Sequence, residues 1–347
     1  MQRNFGLDVL RAAAILGVLL LHALQAVSGV PVFLTPLFER GWVGVDLFFV
    51  LSGYLIASQV FAVPFQLWNW FEVRRFWLRR WTRTLPLYLL VLFVYAVVKP
   101  AIFSAPFAGL TWKYLFFFQN TDLIQDFVQS WSLCIEEQFY LVFPLAALLF
   151  RPRTARAGLL FLVPLLLSLA YRAYLFTTLP STLSLAESDF YFRFRTFSHL
   201  DSIAVGVTLA ATRETWQSFR ASTKRALGGL GLMILIFTLG LMPPLATGAW
   251  VIAVFSLLAI GFGLLLIWAE SWRPIHALNP IVTRVALWSY GAYLWNNLIM
   301  RFWSRYPIYD HWLFGMLTFL AATLIFSAIT YHWIEKPGMR LRSLLKA

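Results

Sequence analysis

Six titratable side chains of this 347-residue chain fall inside apolar runs: His22, Asp46, Glu136, Glu137, His199 and Asp201. An imidazole can take up and return a proton near neutral pH, and a carboxylate beside it can fix its tautomer and stabilise the cation. Such a set can activate a hydroxyl for attack on a carbonyl. It can equally relay protons in a transporter, and residue types alone do not choose between the two. A second group is the run VRRFWLRRWTRTLPLY, in which Arg74, Arg75, Arg79, Arg80 and Arg83 alternate with Trp77 and Trp81. Guanidinium groups at this density bind phosphates, and the indoles offer a stacking surface to a flat ring. The same run also reads as a plain topological anchor. The chain has no Walker-type, Rossmann, HExxH or GxSxG pattern, and its single cysteine, Cys134, excludes an internal disulfide and a cysteine-rich metal site.

The elements that must position these residues are membrane-spanning helices. Hydrophobic residues make up 60% of the chain and charged residues 12%, about half the charged fraction of a soluble domain. Apolar stretches of roughly twenty residues recur along the chain and cannot share one soluble core. The expected architecture is all-α and polytopic, with about ten transmembrane helices around a central pore or chamber. The helices are expected near 9–29, 41–63, 84–103, 131–150, 157–178, 197–212, 226–243, 248–269, 285–303 and 312–334. The apolar but short segment 107–119 is read as re-entrant or interfacial, and residues 1–29 as a retained first helix, because Arg11 and His22 interrupt the run.

The net charge of +13 is explained by topology and not by nucleic acid. With the N-terminus inside, the inner segments hold Arg3, the Arg74–Arg83 cluster, Arg151, Arg153, Arg156, Arg213, Arg220, Lys224, Arg225, Arg273, Arg284, Lys336, Arg340, Arg342 and Lys346. These are 19 of the 28 basic residues, the asymmetry that the positive-inside rule describes. A multi-pass protein of the plasma (inner) membrane with both termini cytoplasmic follows, as a single transmembrane domain over 1–347 with a short cytoplasmic tail at 336–347.

Charges inside hydrocarbon are expensive and call for partners or a wet cavity. Arg11 and His22 lie within about 20° of one helix face and about 16 Å apart along its axis. Arg11 is therefore near the inner surface, where it can also snorkel to headgroups, and His22 about two-thirds of the way across. Counted from the outer ends of their helices, Asp46 lies at a depth of about 7 Å and His22, Glu136 and Glu137 at about 10 Å. His199 and Asp201 lie at a similar depth. This spacing predicts a polar chamber in the outer half of the membrane, where His22 meets Asp46 or Glu136.

Several of these segments resemble one family in order. LDVLRAAAILGVLLLHA, GVDLFFVLSGYLI, RRWTRTLPLY, WSLCIEEQFYLVFP, HLDSIAVGVTLA, SYGAYLWNN and IEKP resemble the successive motifs of the acyltransferase family 3 membrane proteins, over residues 4 to 337. The resemblance implies ten helices, a cytoplasmic acyl-CoA donor and an acceptor hydroxyl on a sugar, polysaccharide or related glycoconjugate. By position it assigns Arg11 and His22 to the first-helix motif, Arg80 and Arg83, with Arg79 beside them, to the arginine motif, and Glu136 to the fourth-helix glutamate. The expected roles are as follows: His22 is the general base and Asp46 or Glu136 orients it, while Arg11, Arg79, Arg80 and Arg83 hold the acyl-CoA. Trp131, Tyr140, Tyr54 and Asp201 line the acceptor path, and no metal is required. A covalent acyl-histidine route and a proton-coupled transporter or flippase remain alternative readings. The chain departs from the family in carrying Asn296 where many members have histidine, so the ninth helix is not expected to supply the base. No fused hydrolase-like domain of the SGNH type is expected.

Overall fold

The computed structural model describes residues 3–103, 106–107, 111–123, 126–149, 157–180, 182–241, 248–307 and 309–344. Arg151, Arg153, Arg156 and Lys346, together with part of segment 107–119, lie outside them. No strand occurs among the described residues. The protein is a multi-pass, all-α integral membrane protein.

Among the described residues, ten helices are longer than ten residues. They are α1 (Phe5–Ala26), α2 (Thr35–Phe61), α3 (Trp70–Ile102), α4 (Val128–Leu149), α5 (Ala157–Thr178), α6 (Leu200–Ala211), α7 (Ala221–Leu241), α8 (Trp250–Ala269), α9 (Asn279–Arg305) and α10 (Trp312–Leu341). Among the described residues, eight are long and apolar enough to cross a membrane, short of the expected ten. The other two are α6, twelve residues and so only about 18 Å long, and α9, long enough at 27 residues but carrying Arg284, Arg301 and Arg305. In the described part of 107–119 the helix Thr111–Leu115 is far too short to cross.

Lipid-facing and enclosed helices separate by their side chains. On α5, Leu159, Leu162, Val163, Leu166 and Leu167 are exposed, as are Phe314, Leu317, Ile325 and Ile329 on α10; only hydrocarbon solvates such faces without penalty. By contrast, α2 and α8 are mostly buried. Glycines let α2 approach its neighbours at backbone distance. A methyl group on Gly44 would stand 2.2 Å from the Ala14 carbonyl oxygen of α1. One on Gly53 would stand 2.2 Å from the Ile203 carbonyl oxygen of α6, and one on Gly206 2.1 Å from that of Val50. This is the small-residue packing that brings membrane helices together where no hydrophobic force between them is available.

Two boundaries change the depth of the polar residues. The second span begins at Thr35 and not at 41, with a 3₁₀ turn at Arg40–Val43, which carries Asp46 deeper into the bundle. The third begins at Trp70 and not at 84, capped by the Asn69 side chain on the amides of Phe71 and Glu72. The arginine run therefore lies on the helix itself and is sorted by face.

Replacing Gly206 with alanine should lower the thermal stability of the detergent-solubilised protein by at least about 1–3 kcal/mol, the usual range for overpacking. Gly229, which has open space around it, should tolerate alanine with no loss. Melting curves of the two variants measure the difference.

Candidate active site

Helical spacing on α4 puts Ser132, Glu136 and Tyr140 in one stripe, four residues apart, and α2 presents Ser52 to it. The Ser52 hydroxyl donates to Glu136 Oε1 at 2.7 Å and the Tyr140 hydroxyl to Oε2 at 3.0 Å. One turn aside, Thr84 of α3 donates to Glu137 Oε1 at 3.1 Å, and Tyr290 of α9 donates to the Thr84 carbonyl at 2.9 Å. These residues surround a cavity of about 170 Å³ that is also lined by Arg11, Arg80 and Arg83. Arg80 stands over the Tyr140 ring, 5.5 Å from its centre, and Arg80 and Arg83 act on Glu136 at electrostatic range. Arg11 is 3.8 Å from Asp8, which is itself bonded to Arg3 at 2.9 Å.

The cavity follows α2 from Gln59 to Val45, about 21 Å of helix. Its guanidinium groups gather at one end of the bundle. At its other end the Tyr293 hydroxyl contacts Ser132 Oγ at 2.6 Å and donates to the Gln129 carbonyl at 2.8 Å, tying α9 to α4. A slot of this length and width, cationic at its mouth and holding two carboxyl groups, suits a thin polar arm that ends in an anionic head outside.

His22 lies beyond the closed end and is not among the cavity-lining residues. Its Nδ1–H donates to the Val18 carbonyl at 2.8 Å, so in the neutral ring Nε2 carries the lone pair. Neither acid meets it. Gly44 packs at the level of Ala14 and Val18, which puts Ser52 and its partner Glu136 on the order of 20 Å from His22 along the bundle. The expected common depth fails because α2 starts six residues earlier than its apolar run suggested. Asp46 faces His199 instead, with Oδ1 3.3 Å from Nδ1.

Other expected residues are committed elsewhere. Asp201 accepts from Arg172 at 2.9 Å and from Ser256 at 2.5 Å, and all three side chains are buried; it lies outside the cavity lining. The Tyr54 hydroxyl donates to Glu270, which also pairs with Arg213, so Tyr54 locks helix ends together and does not line the cavity. Arg79, one position off the Arg80–Arg83 face, is absent from the lining as well. Trp131 stacks on Phe194, 4.9 Å between ring centres. Asn296 is fully buried and donates to the Tyr293 carbonyl at 2.9 Å.

Sequence reasoning missed Arg193. It ends a π-turn, Asp189–Arg193, a feature frequent at functional sites. Its guanidinium lies over Trp42 at 4.6 Å and Trp131 at 5.7 Å, and it acts on both His22 and Tyr293 at electrostatic range. The His199 Nε2–H donates to the Arg193 carbonyl at 2.7 Å, which fixes the backbone that carries this cation. Ser132, Tyr290, Tyr293 and Glu335 were missed too. The stripe Ser132, Glu136, Tyr140 was the available signal for the first. Glu335, fully buried in a π-turn within electrostatic range of Arg83, sits in the closing IEKP.

A family model described as an acyltransferase domain matches residues 4–332. The chain belongs to acyltransferase family 3. Among its relatives, the O-acetyltransferase OatA of Staphylococcus aureus strain NCTC 8325 is 28% identical over 370 residues, 96% of this chain and 56% of the relative. OatA of strain COL gives the same figures. A second protein of strain COL, whose name marks its O-acetyltransferase activity as provisional, is 26% identical over 373 residues with the same shares. The chain thus spans about half the length of the curated relatives it matches. No solved structure matches it. Within this acyltransferase domain, the arginine motif supplies α3's side of the cavity mouth and the WSLCIEEQFYL motif supplies the carboxyl stripe.

Breaking the buried pair by Arg172→Met should destabilise the fold by about 3–5 kcal/mol, because Asp201 is left uncompensated. Combining it with Asp201→Leu should restore much of the loss. Melting of the two variants against the parent protein decides whether Asp201 is structural.

Proposed function

We propose that this domain is a membrane O-acyltransferase, an O-acetyltransferase in the first instance. It takes the acyl group from acyl-CoA on the cytoplasmic side and delivers it to a hydroxyl of a sugar, polysaccharide or other glycoconjugate on the far side of the plasma membrane. Both chain termini then face the cytoplasm, in keeping with the basic residues at that end. The observation that carries this reading is the cavity itself. Guanidinium groups from two helices share one opening, and behind them a narrow slot runs beside α2 toward the half of the bundle that holds His22.

In this reading Arg11, Arg80 and Arg83 receive the phosphates of acetyl-CoA as charge-assisted hydrogen bonds. The nucleotide is too large for the cavity and stays at the mouth, beside the Trp77–Trp81 stack, whose rings are 5.8 Å apart. The pantetheine arm enters the slot past Glu136, Glu137 and Tyr140 and displaces the Tyr293–Ser132 contact. His22 Nε2 takes the proton of the acceptor hydroxyl, and its oxygen attacks the thioester carbonyl. The tetrahedral oxyanion forms opposite the Arg193 guanidinium, a fixed cation in a dry site. Collapse breaks the carbon–sulfur bond, and the proton held by His22 goes to the departing CoA thiolate. The names of the relatives, O-acetyltransferases, support the reaction class.

Reconstituted protein given labelled acetyl-CoA should release CoA only when an acceptor glycan is present. His22→Ala should abolish transfer while leaving the melting curve unchanged; retained transfer removes His22 from the mechanism. Arg80→Gln and Arg83→Gln should each raise KM for acetyl-CoA about tenfold or more, the equivalent of one charge-assisted bond. Arg79→Gln should change it less than about twofold. Acceptor-dependent proton flux without thioester cleavage would instead identify a transporter.

A further inference from the structure

On the opposite face of α4 from the cationic cavity lies a second, larger one. It measures about 870 Å³ and lies between α4, α5 and α6. Leu141, Val142, Ala146, Leu160, Pro164 and Val207 form its long apolar part, which extends about 16 Å along α5 from Leu160 to Tyr171. Polar groups gather at one end only, namely Asn120, Thr121, Gln138, Arg195 and Thr196.

Most of these polar groups are satisfied by one another. Thr196 donates to Gln138 Oε1 at 2.7 Å, Gln138 donates to the Phe117 carbonyl at 3.0 Å, and Asn120 donates to Thr196 Oγ1 at 3.0 Å. Arg195 is the exception. One Nη donates to the Thr121 carbonyl at 3.1 Å, and the guanidinium stacks 4.3 Å from the Phe190 ring centre. Its Nε is sealed from solvent and has no hydrogen-bond partner. Among the described residues no acidic side chain lines the cavity, and Tyr171, at the same end, lies within electrostatic range of Arg195. A guanidinium at one end of an apolar channel favours an anionic headgroup beside it.

We propose that this cavity is a specific site for a phosphoryl-headed membrane lipid. Its phosphate is held by Arg195, and one hydrocarbon chain lies in the slot between α4, α5 and α6. The shape fits this occupant at both ends: the Arg195 guanidinium on the wall where a headgroup phosphate sits, and an apolar channel of chain length behind it. A zwitterionic headgroup brings its own cation to Arg195 and binds less well. The site is separate from the cavity that holds Arg80 and Glu136, so it stands whether or not acyl transfer is the activity.

Native mass spectrometry of the purified protein, titrated with phosphatidylglycerol or with phosphatidylcholine of the same chains, tests this. One phosphatidylglycerol should remain bound with at least about fivefold preference, the factor expected for one basic side chain at a lipid phosphate. Arg195→Gln should remove the preference, and Ala204→Trp, which fills the slot while keeping Arg195, should reduce retention of both lipids. Equal retention of the two lipids, or a preference unchanged in Arg195→Gln, means annular lipid only and overturns the proposal. If Arg195→Gln does not fold, unchanged retention in Ala204→Trp overturns it in the same way.

Discussion

A charge placed in hydrocarbon must find company, and this constraint organises the bundle. Arg172 meets Asp201 and Ser256, and Lys99 meets Asp126 at 2.6 Å. Glu270 gathers Tyr54 of α2 and Arg213 beyond the end of α6. These groups hold helices in register and have little left to offer a ligand. Arg11, Arg80 and Arg83 are arranged differently, around a space, with Glu136 and Glu137 on its wall. The distinction between charges that close on each other and charges that open on a cavity separates scaffold from site.

Depth within the bundle is fixed by glycine contacts, and depth decides which polar groups share a chamber. Because Gly44 rests on the Ala14 carbonyl and Gly53 on that of Ile203, α2 cannot slide. Ser52 is therefore held at the level of Arg11, and Asp46 below His22. The His22 ring and the carboxyl stripe are consequently at different heights, with Tyr293 and Ser132 between them. The long slot beside α2 is what makes a flexible arm the fitting ligand for such a layout.

The sequence made the membrane class legible because its signals are local: apolar length, interspersed arginines and the ordered motifs. Arg11, Arg80, Arg83 and Glu136, singled out by type and spacing, line one cavity. The pairing of Asp46 with His22 was not, because depth was counted from an assumed helix start at 41. The chain enters α2 through Thr35–Glu39 and a 3₁₀ turn, whose residues carry no strong apolar signal. Asp201 looked functional because its partner Arg172 is distant in sequence, and a buried charge reads as available until its counter-charge is placed. Arg193 was hidden for a related reason. Its position between Trp42 and Trp131 depends on three segments meeting, which no local signal shows.

In the proposed reaction the arginine-lined opening receives an acyl-CoA whose arm follows α2. Cryo-electron microscopy of the protein in lipid nanodiscs with a non-hydrolysable thioether analogue of acetyl-CoA tests it most directly. The account predicts phosphate density within about 3 Å of the Arg11, Arg80 and Arg83 guanidinium groups, with the sulfur directed past Tyr140 toward Tyr293. Ordered analogue at the opposite end of the bundle, or an arm lying outside the slot, would contradict it.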